Sequence, residues 1–441
     1  MAFQWRVPRA PARRLTLASL VAALYFMVSG GPYGLEELAG KVGFGAAIAI
    51  LVATPLVWSV PTALMVGELA AALPEEGGYY AWVRRALGPF WGYQEAWLSL
   101  VASVFDMAIY PTLFVLYLGR LFPAAASWPF AVGLLVVAAG AAWNLAGAWA
   151  VGEGSAAMTV LLLAPFVVLS AIAWRAHVPS TAAAAGHTGA APDVAGGIVI
   201  AMWNYMGWDN ASTVAGEVDR PQRTYPLAVV AAVALVVLTY VVPVAAVGAA
   251  GVDPSGWETG AWVDVARSCG GGLLASAVVV GGLLSAFGMF NALCLSYSRL
   301  PVVMAEDGYL PRAFARRLPH DGAPWVAVLA CCVGWTLSLG LSFERLVCLD
   351  ILLYGTSLVL EFVALVVLRV REPRLPRPFR VPGGTAAAAA LGLGPVALLA
   401  MALVKNLDER VAGVNGCVFG AGLVALGPVA YALTRRISRA P

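Results

Sequence analysis

Residues 15–40 read LTLASLVAALYFMVSGGPYGLEELAG, and residues 195–215 read AGGIVIAMWNYMGWDNASTVA. Each is a long apolar run interrupted near its middle. The first is cut by Ser29-Gly30-Gly31-Pro32-Tyr33-Gly34, and the second by Trp203-Asn204-Tyr205-Met206-Gly207-Trp208-Asp209-Asn210. Glycines weaken a helix and Pro32 lacks an amide donor, so a break is expected at both places. In hydrocarbon a break leaves main-chain groups unsatisfied, so it persists only where it faces protein or a polar cavity. A half-helix starting after the first break would direct its amides and positive dipole end into that space, a seat for a carboxylate. Free carbonyls around Trp203, Asn204 and Tyr205 would accept hydrogen bonds from an ammonium, and the aromatic rings would add cation–π attraction. The structural alternatives are a Gly/Pro packing kink for the first break and an interfacial aromatic belt for the second. The belt fits poorly, because residues 197–201 and 211–215 flank these aromatics with apolar and small side chains.

The rest of the chain supplies the setting. Of 441 residues, 61% are hydrophobic and 12% charged, against about 25% charged in soluble domains. Apolar segments of roughly 20 residues, each able to cross hydrocarbon, recur about twelve times. The expected fold is an all-α integral membrane protein of about twelve transmembrane helices. Breaks in the first and sixth, five helices apart, are the pattern of two inverted five-helix repeats whose discontinuities meet at mid-bilayer, with two further C-terminal helices. The layout reads as an N-terminal tail (1–14), a first repeat (15–174), an outer loop (175–194), a second repeat (195–370), a Pro/Arg-rich linker (371–384), two last helices (385–434) and a short tail (435–441).

With the N-terminus inside, twenty of the 27 Lys and Arg residues fall on the inner side. That bias places both termini in the cytoplasm and the protein in the plasma membrane. Arg6, Arg9, Arg13 and Arg14 before an apolar run imitate a secretory signal, but no A-x-A cleavage pattern follows, and the first helix is expected to be retained. Residues 73–90 carry Tyr79, Tyr80 and Trp82 beside Arg84 and Arg85, as an amphipathic helix along the membrane surface would. The linker, with Pro373, Pro376, Pro378 and Pro382, suits a stiff solvated connection. The six cysteines lack CxxC spacing and read as small core residues. A net charge of +3 is too small to suggest nucleic acid,.

Ionisable groups inside the bilayer are costly, so each is a functional candidate. Asp106 lies in the middle of the third span, with Tyr110 one turn along on the same face. Glu361 lies deep in the tenth and Asp209 in the sixth-span break. No Lys or Arg sits at that depth, so a cationic substrate or transferable protons would have to neutralise the trio. The plain alternatives are hydrogen-bonded structural acids for Asp106 and Glu361, and a helix cap for Asp209. Glu68 and Glu75, towards the inner end of the second span, read as gating or loop-anchoring groups. The histidines, His177, His187 and His320, all fall in loops. No catalytic constellation, metal site or cofactor site can be assembled, and an embedded enzyme is not expected.

These residues make the chain resemble the amino acid–polyamine–organocation transporter superfamily, and within it the branch of plant polyamine uptake transporters, also described as L-type amino acid transporters. The resemblance runs from about Val28 to Pro382 and is carried by VSGGPYGLEE, PEEGGYYAWV, GPFWGYQ with DMAIYP, MWNYMGWDNASTVAGEVDRP, AEDGYLPRAFARR and LEFVALVVLRVREP. It implies that Ser29, Gly30 and Gly31 hold a substrate carboxylate where there is one, that Trp203, Asn204 and Tyr205 hold the amine, and that Asp106 and Glu361 bind the distal amines of a polyamine. Some proton-coupled relatives carry a lysine in the fifth helix, whereas residues 154–174 contain none. Carboxylate-based proton symport, with Asp209 or Glu68 as coupling or gating groups, and exchange both stay open. The reading is a secondary transporter of amino acids or polyamines, embedded in lipid and driven by protons through alternating access. A neutral amino-acid exchanger of the same fold and a nontransporting amine sensor are the alternatives.

Overall fold

The structure, a computed structural model, describes residues 15–175, 191–319, 322–407, 410–411 and 413–437. The N-terminal tail with its arginines, most of the loop over 175–194, the last residues of the chain and all three histidines lie outside the described residues.

The first apolar run is two pieces. Helix α1 (Leu17–Val28) starts from a capping box between Thr16 and Ser19,. It stops at Ser29, and α2 (Glu36–Val57) starts seven residues later. Gly43, at φ 76°, divides α2 into a short half-helix and the start of the next span. That span continues through α3 (Ser59–Ala72), followed by the short α4 (Tyr79–Leu87) and the 33-residue α5 (Pro89–Leu121). At 1.5 Å per residue α5 is about 50 Å long, so its two ends lie on opposite faces of the molecule. Then come α6 (Pro129–Asn144) and α7 (Ala148–Arg175).

The sixth run is also two pieces. Helix α8 (Val194–Asn204) is capped by Asp193, and after the break a 3₁₀ segment, Asn210–Glu217, replaces the expected α-helical half. The order continues with α9 (Pro221–Ala249), α10 (Ala261–Tyr297), α11 (Leu300–Glu306), α12 (Trp325–Trp335) and α13 (Phe343–Arg371). It ends with α14 (Gly384–Leu391), α15 (Leu393–Lys405), a two-residue-per-strand hairpin and α16 (Gly416–Ile437). Among the described residues, eight helical runs are long and apolar enough to cross a membrane, and four shorter apolar helices accompany them. Helix α1 packs among α7, α9 and α10; α8 lies against α2; α5 is sandwiched between α10 and α13. Apolar side chains such as Leu135, Val160, Val230 and Leu273 remain exposed, as lipid-facing surfaces require,.

Two expectations about the arginine-rich face are corrected. The aromatic face of α4 does not lie open to a bilayer surface: Tyr79, Tyr80 and Trp82 are buried, α4 packs on α5 and α13, and the Trp82 Nε1–H donates to Leu73 O at 3.1 Å. Nor is the Pro/Arg linker simply solvated. Arg369 holds Glu68 through both Nε (2.8 Å to Oε1) and Nη2, Arg377 Nε reaches the same carboxylate at 3.2 Å, and the Val381 N–H donates to it at 2.8 Å. Glu68 is fully buried, so its charge is tolerable only because these donors close around it,. The anchor ties the linker and the end of α13 to α3. On the same face Arg85 Nη2 pairs with Glu372 at 2.7 Å and holds that carboxyl below its ordinary range, but both side chains are substantially exposed and the pair contributes little,.

Glu68→Ala strands Arg369 and the Val381 amide in a buried site, a loss of about 3–5 kcal/mol. Thermal unfolding in detergent should show that destabilisation, whereas Glu372→Ala should shift the transition far less.

Candidate functional site

The two breaks meet. The Asn204 Nδ2 lies 3.5 Å from Gly34 O, and a Cβ added at Gly34 would stand 3.2 Å from the Trp203 ring. Gly207, at φ 95°, presses against the Met27 carbonyl so closely that a side chain there would collide with it. Only glycine suits both the backbone angle and the approach.

Their main-chain groups are not free, contrary to expectation. Asn204 O accepts from the Tyr240 hydroxyl (2.7 Å), Tyr205 O from Trp58 Nε1 (3.1 Å) and Pro32 O from Trp262 Nε1 (2.9 Å). The Gly31 N–H donates to Ser29 Oγ at 3.1 Å. The Gly34 N–H donates to Glu36 Oε2 at 2.7 Å, while the other Glu36 oxygen accepts from Tyr117 Oη (2.5 Å) and the Gly260 N–H (3.1 Å). The amide end of the half-helix after the first break therefore already holds a carboxylate of the chain itself. Buried side chains discharge what the bilayer cannot.

Beside the contact is a tight cavity of about 20 Å³, room for about one water molecule. Of the residues expected to bind substrate, it brings together Asp106, Tyr110, Trp203 and Asn204. Ser29, Gly30, Gly31, Tyr205 and Glu361 do not line it, and Glu68 belongs to the linker anchor. Tyr205 instead packs outward, its hydroxyl donating to Leu51 O at 2.8 Å. No lysine or arginine lines the cavity. Asp106 is buried and accepts from Tyr110 Oη at 2.6 Å and Tyr297 Oη at 3.0 Å, so neutral hydroxyls stand where a counter-ion would.

Behind the cavity wall lies a second group of acids. The Tyr354 hydroxyl accepts from the Gly207 N–H (3.1 Å) and donates to Asp209 Oδ1. The Asp209 side chain caps nothing. Glu361 and Glu95 are fully buried close by. Neither Glu361 oxygen meets hydrogen-bond geometry with any described group, although Asp209 is near; Glu95 Oε1 accepts from Ser357 Oγ and its Oε2 has no partner.

The sequence profile of the amino acid permeases matches residues 21–423. The chain belongs to that family. Polyamine transporter PUT1 of Oryza sativa subsp. japonica is 37% identical to this permease over 97% of the present chain and 80% of its own length. Polyamine transporter RMV1 of Arabidopsis thaliana is 33% identical over 92% and 84%, and an uncharacterized transporter of Mycobacterium tuberculosis, Rv1999c, is 30% identical over 73% and 72%. The protein is thus a multi-pass membrane transporter for a small molecule, and not an enzyme.

Sequence reasoning missed Glu36, Glu95 and Asp350, and the tyrosines Tyr297 and Tyr354. The signal was present for all three acids, each an acidic residue within or next to an apolar run. Glu36 and Asp350 sit near expected helix ends, where a charge is unremarkable until the fold shows them buried.

Gly207→Ala forces a strained backbone angle and a clash with Met27 O, costing on the order of 1–3 kcal/mol. Gly216→Ala, where nothing lies within 4 Å, is the control. Thermal unfolding should drop for the first and stay put for the second.

Proposed function

We propose that the protein imports polyamines by proton-coupled alternating access, with the substrate's ammonium groups taken into the central cavity. The observation that carries this reading is the pair of buried carboxyls, Asp106 and Asp350, lining a cavity without a single lysine or arginine. Lone buried carboxylates are costly, and a site of this kind is complete when the ligand brings the positive charge. The main-chain pattern points the same way. An amino acid needs a seat for its own carboxylate, but the Gly31 amide is taken by Ser29 and the Gly34 amide by Glu36. The names of the two plant relatives agree with an amine cargo.

In this reading the described helices form two inverted five-helix repeats followed by two helices, and the contact between the breaks is the pivot around which access alternates. In the same reading the arginine-rich face is cytoplasmic by the positive-inside rule, with both termini on that side, and the membrane is the plasma membrane, where an importer would act. Asp209 and Glu361, behind Tyr354, are placed to carry the coupling proton, because a proton needs no cavity of its own.

Reconstituted in liposomes that are acidic outside, the protein should accumulate labelled putrescine or spermidine, and collapsing the pH gradient should abolish accumulation. Asp106→Asn removes a charge-assisted contact of about 1.5–3 kcal/mol, so kcat/KM for uptake should fall roughly 10- to 100-fold. Gradient-independent exchange of neutral amino acids, with no uptake of polyamines, would overturn the reading in favour of an exchanger.

A further inference from the structure

Asp350 lies on α13, one turn before Tyr354 on the same helix face, and lines the central cavity,. It is 3% exposed, and its Oδ1 is buried with no hydrogen-bond partner among the described residues. Asp106, on α5 and lining the same cavity, differs in that each of its oxygens accepts a tyrosine hydroxyl. The ionisable neighbours of Asp350, Asp106 and Asp209, are both carboxyls. Such a group is expensive to bury, and no described residue supplies its missing donor,.

We propose that Asp350 is the second ammonium ligand of the cavity, and therefore the residue by which the protein prefers substrates with two or more charged amines over those with one. The inference rests on the polyamine reading above and specifies how that site counts charges. An alkylammonium brings three N–H donors and no acceptor, which complements an orphaned carboxylate oxygen. A monoamine can serve Asp106 or Asp350 but not both. A diamine can serve both, because α5 and α13 pack against each other and the two acids line the same cavity. The same lining includes Met27, Val28, Met289 and Leu293, an apolar surface suited to a methylene spacer,.

The test measures binding of 1,4-diaminobutane and n-butylamine to the purified full-length protein, by competition and by ligand-induced thermal shift. The wild type should prefer the diamine. In Asp350→Asn the diamine affinity should fall about 10- to 100-fold, while butylamine affinity changes by less than about threefold. Since the substitution removes a buried carboxyl that the unliganded protein leaves without a full set of partners, the unliganded Tm should be equal or higher,. Asp350→Ser, a second neutral variant, should behave alike. An unchanged diamine preference in a folded variant overturns the inference and leaves the polyamine reading standing. Parallel loss of both ligands with a lowered Tm makes Asp350 a structural residue and also overturns it. A wild type that binds neither amine overturns the inference and the polyamine reading together.

Discussion

An interrupted helix in hydrocarbon must return its loose amides and carbonyls to something polar, and no water is there to take them. This one requirement organises the centre of the molecule. Each break is flanked by glycines that let the chain turn, and each is surrounded by aromatic side chains with a polar tip. Trp58, Trp262 and Tyr240 reach in from three different parts of the bundle to cover the carbonyls of Tyr205, Pro32 and Asn204. Ser29 and Glu36, at the two edges of the first break, cover amides within it. Because the donors come from the joint between α2 and α3, from α10 and from α9, the breaks are fixed in place by the surrounding bundle and fix it in return.

The same economy governs charge. Carboxylates on the arginine-rich face are closed in by guanidinium groups: Glu68 by Arg369 and Arg377, Glu217 by Arg299, Glu76 by Arg317. Those ties join α3 to α13, the 3₁₀ segment after the sixth-run break to the start of α11, and the loop before α4 to residues beyond α11. Around the cavity the partners are neutral instead. Asp106 has two tyrosines and Asp209 has Tyr354, while Glu361 and one oxygen each of Glu95 and Asp350 meet hydrogen-bond geometry with no described group. The difference is functional in kind. A guanidinium clasp completes a carboxylate permanently, whereas a tyrosine hydroxyl leaves its charge uncompensated and available to a cation that arrives and departs.

Much of this was legible in the sequence, for reasons that can be traced to particular residues. Apolar run length and the Gly/Pro interruptions at 29–34 and 203–210 are local signals, and the structure breaks the helices at both. Asp106 with Tyr110 was readable because four residues along a helix is one turn. Asp350 carried the local signal of an acid near the start of an apolar run, but its burial depends on how α13 lies against α5, a long-range packing fact that the run alone does not show. The carbonyls of the sixth-run break were expected to be free because periodicity shows where a helix ends but not which distant side chain reaches its end. Tyr240 and Trp58 lie 36 and 147 residues away from the groups they cover. The linker was read in part: residues 371–384 are mostly exposed, as four prolines and several arginines suggest, but the anchor of Arg377 and the Val381 amide on buried Glu68 has no local signal.

The contact between the breaks also limits what can move. Gly207 and Met27 approach too closely to accept a methyl group, and Asn204 touches Gly34 across the same junction. A rearrangement that separated the two breaks would uncover the Gly34 carbonyl, which Asn204 meets across the junction, at a cost in lipid. The other carbonyls stay covered as long as Trp58, Tyr240 and Trp262 travel with the segments they serve. In the alternating-access reading proposed above, opening is therefore cheapest when the broken segments turn together with their hydrogen-bonded neighbours and when the pairs that part are the more exposed ones of the arginine-rich face, Arg84 with Asp307 and Arg85 with Glu372, whose partners can exchange protein for water,.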